Sequence, residues 1–211
     1  MSIAEDCGLI VPLGRWVLRE ACRQAPAWRD MGMPPVAMAV NTSALEFRDK
    51  DFLASLRGIL EDTHLRPSDL ELELTESVLM HDVKSTDAVL NTLSAMGIHL
   101  AVDDFGTGYS SLSYLRRFPI DTLKIDSSFI HGITRNADSA SLVSAMINMG
   151  KSLKQRVIAE GVETAAQAAF LLERKCGLGQ GYFFTRPMAA EGLTSLLRTG
   201  LALKPYRPSQ S

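Results

Sequence analysis

The run Leu100-Ala101-Val102-Asp103-Asp104-Phe105-Gly106-Thr107-Gly108-Tyr109 ends an apolar strand in two adjacent carboxylates and then breaks into glycine. Like charges a few ångströms apart repel, so such a pair either shares a proton or neutralises its charge against a cation. Asp103 and Asp104 are therefore the first place to look for chemistry. Other apolar runs close on polar residues too: Asn41, Glu73 with Glu76, Lys124 with Asp126, Glu160 and Gln180. Carboxylates joined by an Asn carbonyl make an oxygen-rich set suited to Mg²⁺ or Mn²⁺, and no His or Cys converges on them as zinc would require. Two such ions bridged by a shared carboxylate would activate water and steady the charge on a phosphoryl group, the two-metal route to phosphodiester hydrolysis. Lys124 would orient or polarise that water.

Each residue also has an ordinary structural role. An Asp-Asp at a strand end can be a helix cap beside a surface charge, and Glu71, Glu73 and Glu76 can pair with cations on neighbouring strands. Lys124 can be a salt-bridge partner, Asn41 can hold a turn, and Gln180 can satisfy backbone groups. Joint placement at strand ends is what favours chemistry. The stretch Gly106-Thr107-Gly108 is too short for a phosphate-binding P-loop, and the dinucleotide pattern Gly-x-Gly-x-x-Gly is missing. It reads instead as an adjustable turn that lets Asp103 and Asp104 meet a metal and launches a helix at Ser110 and Ser111. His64, His81, His99 and His131 match no catalytic spacing, while Trp16 and Trp28 read as packing residues.

A strand-helix alternation must position these groups. Strand-like runs at 36–41, 70–76, 98–103, 121–126, 156–160 and 179–184 alternate with amphipathic stretches at 13–25, 51–61, 85–96, 110–117, 138–153, 164–175 and 189–198. In parallel α/β proteins the C-terminal strand edge carries the site, and a barrel gathers all strand ends around one mouth. The pattern predicts an α/β fold, a TIM-like (β/α) barrel that is incomplete, with about six of eight strands. It also predicts one buried polar cluster. Alternation in Leu70-Glu71-Leu72-Glu73-Leu74-Thr75 turns the leucines to the helices and Glu71, Glu73 and Thr75 to the interior. Lys124 and Asp126 share a face by the same parity.

Composition narrows the classes. The chain has 211 residues, 46 % of them hydrophobic, and a formal charge of −2 from dispersed acids and bases, so no basic surface for DNA or RNA is expected. Cys7, Cys22 and Cys176 are odd in number and in no metal-ligand spacing, which points to a reducing compartment, the cytoplasm. No apolar run approaches the roughly 18 residues of a membrane span. One domain over 1–203 and a polar tail over 204–211 are expected.

The motifs Ala4-Glu-Asp-Cys-Gly-Leu-Ile10, Val40-Asn-Thr-Ser43, Glu73-Leu-Thr-Glu76, Asp103-Asp-Phe-Gly-Thr-Gly-Tyr-Ser-Ser111, Leu123-Lys-Ile-Asp126, Glu160-Gly-Val-Glu-Thr164 and Gln180-Gly-Tyr182 resemble, in order and approximate spacing, the EAL-domain family of bacterial cyclic di-GMP phosphodiesterases. The resemblance implies hydrolysis of cyclic di-GMP to linear pGpG with two Mg²⁺ or Mn²⁺ ions, inhibition by Ca²⁺, and a homodimer. It implies that Asn41, Glu73 and Asp103 ligate one ion, that Asp103, Asp104 and Glu160 ligate the second, and that Lys124 holds the water. Asp126, Glu163 and Gln180 match positions that support the water or contact the nucleotide, and Glu76 matches the anchor of the glycine loop. Complete members begin with two further strands, the second bearing the Glu-Ala-Leu motif with a metal-ligating Glu and a nearby substrate-binding Arg. Their absence predicts an N-terminally truncated barrel with exposed edges near 36–41 and 179–184, and weak turnover. Glu5 and Asp6 are the nearest acids but match a surface helix, while Ser127 and Thr42 stand where Arg and Leu are frequent. The alternative is a non-catalytic EAL-like receptor for cyclic di-GMP or a protein partner. An unrelated barrel enzyme acting on a sugar phosphate is disfavoured by the lack of a glycine phosphate clamp after the last strands.

Overall fold

The computed structural model describes residues 4, 7–108 and 112–199, with backbone alone at 112–114. The helix start expected at Ser110 and Ser111, the acids Glu5 and Asp6, and the tail over 204–211 lie outside the described residues. The chain forms two compact units, Met1–Asp121 and Thr122–Ser211.

The first unit opens with α1 (Ile10–Asp30), which buries Leu18, Cys22 and Ala25 at helical spacing together with Trp28. It outruns the expected 13–25 because Trp28 adds another buried turn beyond Pro26. Its other side shows a correction. Trp16 is exposed, in a stripe with Leu9, Leu13 and Val17, and only Trp28 packs in the core. Strand β1 (Met38–Thr42) leads into α2 (Ala44–Phe47), where Ser43 and Glu46 form a reciprocal capping box. Helix α3 (Phe52–Thr63) packs against α1, and a 3₁₀ turn at Pro67–Asp69 precedes β2 (Leu70–Thr75).

Strand β2 stops one residue before the expected end, because Glu76 opens α4 (Glu76–Met80), where a carboxylate meets the positive end of the helix. Helix α5 (Val83–Ala95), β3 (His99–Phe105) and α6 (Leu112–Arg117) complete the unit. β1, β2 and β3 are parallel neighbours in that order. Leu70, Leu72 and Leu74 are fully buried, each worth roughly 1.5–3 kcal/mol against exposure. Glu71 and Glu73 on the opposite face are buried as well, so β2 is covered on both sides.

The second unit contains β4 (Thr122–Ile125), α7 (Ser127–Ile130), α8 (Ala137–Ser152), β5 (Arg156–Ala159), α9 (Ala165–Glu173), β6 (Leu178–Gly179) and α10 (Ala190–Thr199). β4, β5 and β6 are again parallel in chain order. Asp126 leaves the expected strand to cap α7. The run expected at 179–184 is a strand only at its start, since the chain turns at Gly181, whose N-H-bonded neighbours tie back to Val162. Six strands are thus found among the described residues, three per unit.

Candidate functional site

Register sets the geometry of the first unit. Asn41 on β1 lies abreast of Glu73 on β2, which lies abreast of Ala101 on β3, and Thr75 lies abreast of Asp103. Residues abreast in a parallel sheet share a face, and so do residues two apart along a strand. Asn41, Glu73 and Asp103 therefore stand on one face, near the C-terminal ends of three adjacent strands, with the small Ala101 leaving room beside Glu73. Glu73 and Asp103 are 7 % and 9 % exposed, whereas Asn41 at the sheet edge is open to solvent.

Asp104 follows directly on Asp103, and strict alternation would send it to the far face. Its backbone is left-handed, at φ 52°, a conformation Asp tolerates better than most side chains. That single twist breaks the alternation, and one carboxylate oxygen of Asp104 lies within 4.8 Å of one of Asp103. The chemistry of these carboxylate donors fits a hard divalent cation, which Asp103 and Asp104 would hold between them. Among the described residues no thiol joins this group of donors. Burial pushes the Cys22 thiol up to about 11 and raises that of Cys176, leaving both inert.

Glu76 is 4 % exposed and accepts the Gly106 N–H through Oε2 at 3.3 Å, while its Oε1 finds no partner among the described residues. A Cβ on Gly108 would come 3.2 Å from the same carboxylate, so the glycines let the loop close on Glu76. In Glu76→Ala the Gly106 amide should exchange with solvent at least about tenfold faster, the equivalent of one lost charged hydrogen bond near 1.4 kcal/mol, while β2 amides keep their protection. Unchanged Gly106 exchange would remove the anchor.

In the second unit Lys124 is 3 % exposed and pairs with Glu160 at 2.8 Å. The ammonium and carboxylate stand on the same face, at the ends of β4 and β5. Removing one partner of so buried a pair typically costs about 3–5 kcal/mol. Asp126 accepts the Ser128 N–H at 3.0 Å. Burial pulls its carboxyl upward, but bonds from Ser128 and Ser127 outweigh this and hold it below its ordinary range. Glu163 is exposed and lies 3.9 Å from His131, and Gln180 is exposed, its N–H bonded to the Ala159 carbonyl at 2.8 Å. Of the strand-end groups expected in one buried polar cluster, Glu73, Glu76, Asp103 and Lys124 are buried, whereas Asn41, Asp104 and Gln180 reach solvent, as does Glu163. Ser127 and His131 surround the Glu160–Glu163 loop together with Gln167, the one of the three that sequence reasoning did not single out.

A family model for the EAL domain matches residues 1–187. The chain belongs to the EAL domain family. It is 47 % identical over 193 residues to the bifunctional diguanylate cyclase/cyclic di-GMP phosphodiesterase MucR of Pseudomonas aeruginosa, covering 92 % of this chain and 28 % of MucR. To the cyclic di-GMP phosphodiesterase PdeR of Escherichia coli it is 42 % identical over 190 residues, covering 90 % and 29 %. The chain therefore spans under a third of the length of these curated relatives.

Among solved structures, the c-di-GMP complex of the PaMucR phosphodiesterase matches this EAL domain with a TM-score of 0.88 at 47 % identity, covering 91 % of this chain and 78 % of that one. The manganese/cy-diGMP complex of Klebsiella pneumoniae BlrP1 matches with a TM-score of 0.77 at 29 % identity, covering 85 % and 45 %. These likenesses give the EAL chain its fold, an α/β, incomplete TIM-like barrel, of which six strands lie among the described residues. No helix of the described residues is long and apolar enough to cross a membrane.

Proposed function

We propose that this EAL domain hydrolyses cyclic di-GMP to linear pGpG in the cytoplasm, as a homodimer and with Mg²⁺ or Mn²⁺. The observation that carries the reading is the shared face of Asn41, Glu73 and Asp103, joined by Asp104 through its left-handed backbone. A receptor has no need to bury such acids at strand ends. Asn41, Glu73, Asp103, Asp104 and Glu160 would hold two ions, which when bound polarise the phosphoryl oxygens and acidify the attacking water. Ca²⁺, larger and less strict in geometry, would occupy the same donors and inhibit.

The chain's own residues do the rest. The Lys124 ammonium, fixed by Glu160, orients the water toward phosphorus. Water adds to phosphorus, one P–O3′ bond breaks, and the proton lost by the water is balanced by protonation of the leaving 3′-oxygen. Asp126 and Glu163 support the water or the nucleotide, Gln180 contacts the base or sugar, and Glu76 keeps the glycine loop beside Asp103 and Asp104.

Purified chain incubated with cyclic di-GMP and Mn²⁺ should yield pGpG on chromatography and none after chelation. Cyclic di-GMP that binds in calorimetry with chelator present and is never cleaved would replace this reading with the receptor.

A further inference from the structure

Gln167 is a polar side chain only 5 % exposed, in the first turn of α9, and both its amide oxygen and its amide nitrogen are engaged. Its Oε1 accepts the backbone N–H groups of Glu163 at 2.8 Å and Thr164 at 2.9 Å. Its Nε2 donates to the Ile130 carbonyl at 3.3 Å, on the far end of α7. Two N–H donors on one side and a carbonyl on the other leave a single orientation for the amide. The bond to Thr164 belongs to the capping box that starts α9, in which Thr164 reciprocates through its hydroxyl. The bonds to Glu163 and Ile130 go beyond capping. A Glu at this position would serve the cap equally well and could not donate to Ile130.

The two segments joined in this way are those that carry the proposed chemistry of the second unit. Glu160 and Glu163 lie on one, and Asp126, as the cap of α7, opens the other. They are in close approach: Gly161 has φ 65°, and a Cβ there would lie 2.5 Å from the Ser127 Cβ. On the solvent side His131 faces Glu163 at 3.9 Å. A contact that tight has little tolerance, and an error of about 1 Å in a reacting group can cost on the order of a hundredfold in rate.

We infer that Gln167 is a positioning residue that fixes the Glu160–Glu163 loop against α7 and so sets Asp126 and Glu163 in mutual register. The inference rests on the phosphodiesterase reading for what the register serves, but its structural arm does not need turnover. Gln167→Glu keeps the acceptor and loses the donor, whereas Gln167→Met loses both. In Q167E the amides of Phe129 in α7 and of His131 at its C-cap should exchange at least about tenfold faster than in the native chain, a loss of one buried hydrogen bond. Those of Glu163, Thr164 and β5 should stay protected. In Q167M the Glu163 and Thr164 amides should loosen as well.

With cyclic di-GMP and Mn²⁺, Q167E should lower kcat about tenfold and change KM less than threefold, because misplacement weakens the transition state more than binding. A plain helix cap would leave Q167E at native kcat with native exchange in α7, and that result overturns the inference. Uniformly faster exchange across the second unit in Q167E overturns it too, since Gln167 would then support the whole unit. Absence of turnover in the native chain would count against the phosphodiesterase reading alone, and the exchange pattern would still decide the role of Gln167.

Discussion

Asp103→Asn should lower metal-dependent cleavage of cyclic di-GMP by at least about a thousandfold, which corresponds to roughly 4 kcal/mol of transition-state stabilisation. Asp103 is 9 % exposed, on the face it shares with Glu73, and close to Asp104, so its charge serves both proposed ions. Asn keeps the shape and one carbonyl oxygen but not the charge. The stability readout should move the other way. Without metal, a buried acidic cluster repels itself, so D103N should melt no lower than the native chain in chelator. Added Mn²⁺ should raise the native melting point through binding to the folded state and leave that of D103N nearly unchanged. A folded D103N that keeps more than a tenth of native turnover would remove Asp103 from the metal centre, and with it the central premise of the proposed mechanism.

Gly181→Ala should be among the most destabilising single-methyl additions in the chain, at about 3–5 kcal/mol. Gly181 has φ 153°, and a Cβ there would lie 2.2 Å from the Val162 carbonyl oxygen and 2.4 Å from its nitrogen. These are backbone atoms, which no rotamer change can move aside. Val162 donates to the Gln180 carbonyl at 3.0 Å and accepts from the Phe183 N–H at 2.9 Å, so both bonds flanking Gly181 would have to lengthen. Two weakened hydrogen bonds at about 1 kcal/mol each, plus roughly 1–3 kcal/mol of backbone strain, give the stated range. Urea denaturation followed by far-ultraviolet circular dichroism would measure it. A midpoint within error of the native chain would show that the 160–163 and 180–184 segments are not pinned together.

The strands that carry the acids were legible because their sequence has little ambiguity. Leu70-Glu71-Leu72-Glu73-Leu74 alternates without a break, and Asp103 ends an unbroken apolar run, so the shared face of Glu73 and Asp103 follows from parity. Parity fails at the next residue. Asp104 joins its neighbour only through a left-handed φ, and Asp is one of the few side chains for which such a backbone leaves no distinctive sequence mark. The last strand is shorter than its sequence predicts, because Phe183 and Phe184 look strand-like whereas the close approach of Gly181 to Val162 bends the chain away. Gln167 had a local signal, the Thr-x-x-Gln spacing of a capping box. Its bond to Ile130, 37 residues earlier, depends on tertiary packing and is invisible to any window along the chain. Trp16 departs from its expected packing role because the sequence does not mark which large aromatic of an amphipathic helix stays outside the core.

The two indoles of α1 give the domain a spectroscopic asymmetry. Trp28 is 3 % exposed and Trp16 is 61 % exposed, so one excitation band samples a dry environment and an aqueous one within the same helix. Collisional quenchers such as iodide reach Trp16 and not Trp28, which separates the two signals without labels or substitutions. Unfolding is reported by Trp28 through its red shift, and any surface that comes to cover Leu9, Leu13, Trp16 and Val17 is reported by a blue shift and lost quenching of Trp16. The helix is thereby its own two-channel fluorimeter, one channel for the core and one for whatever the apolar stripe meets.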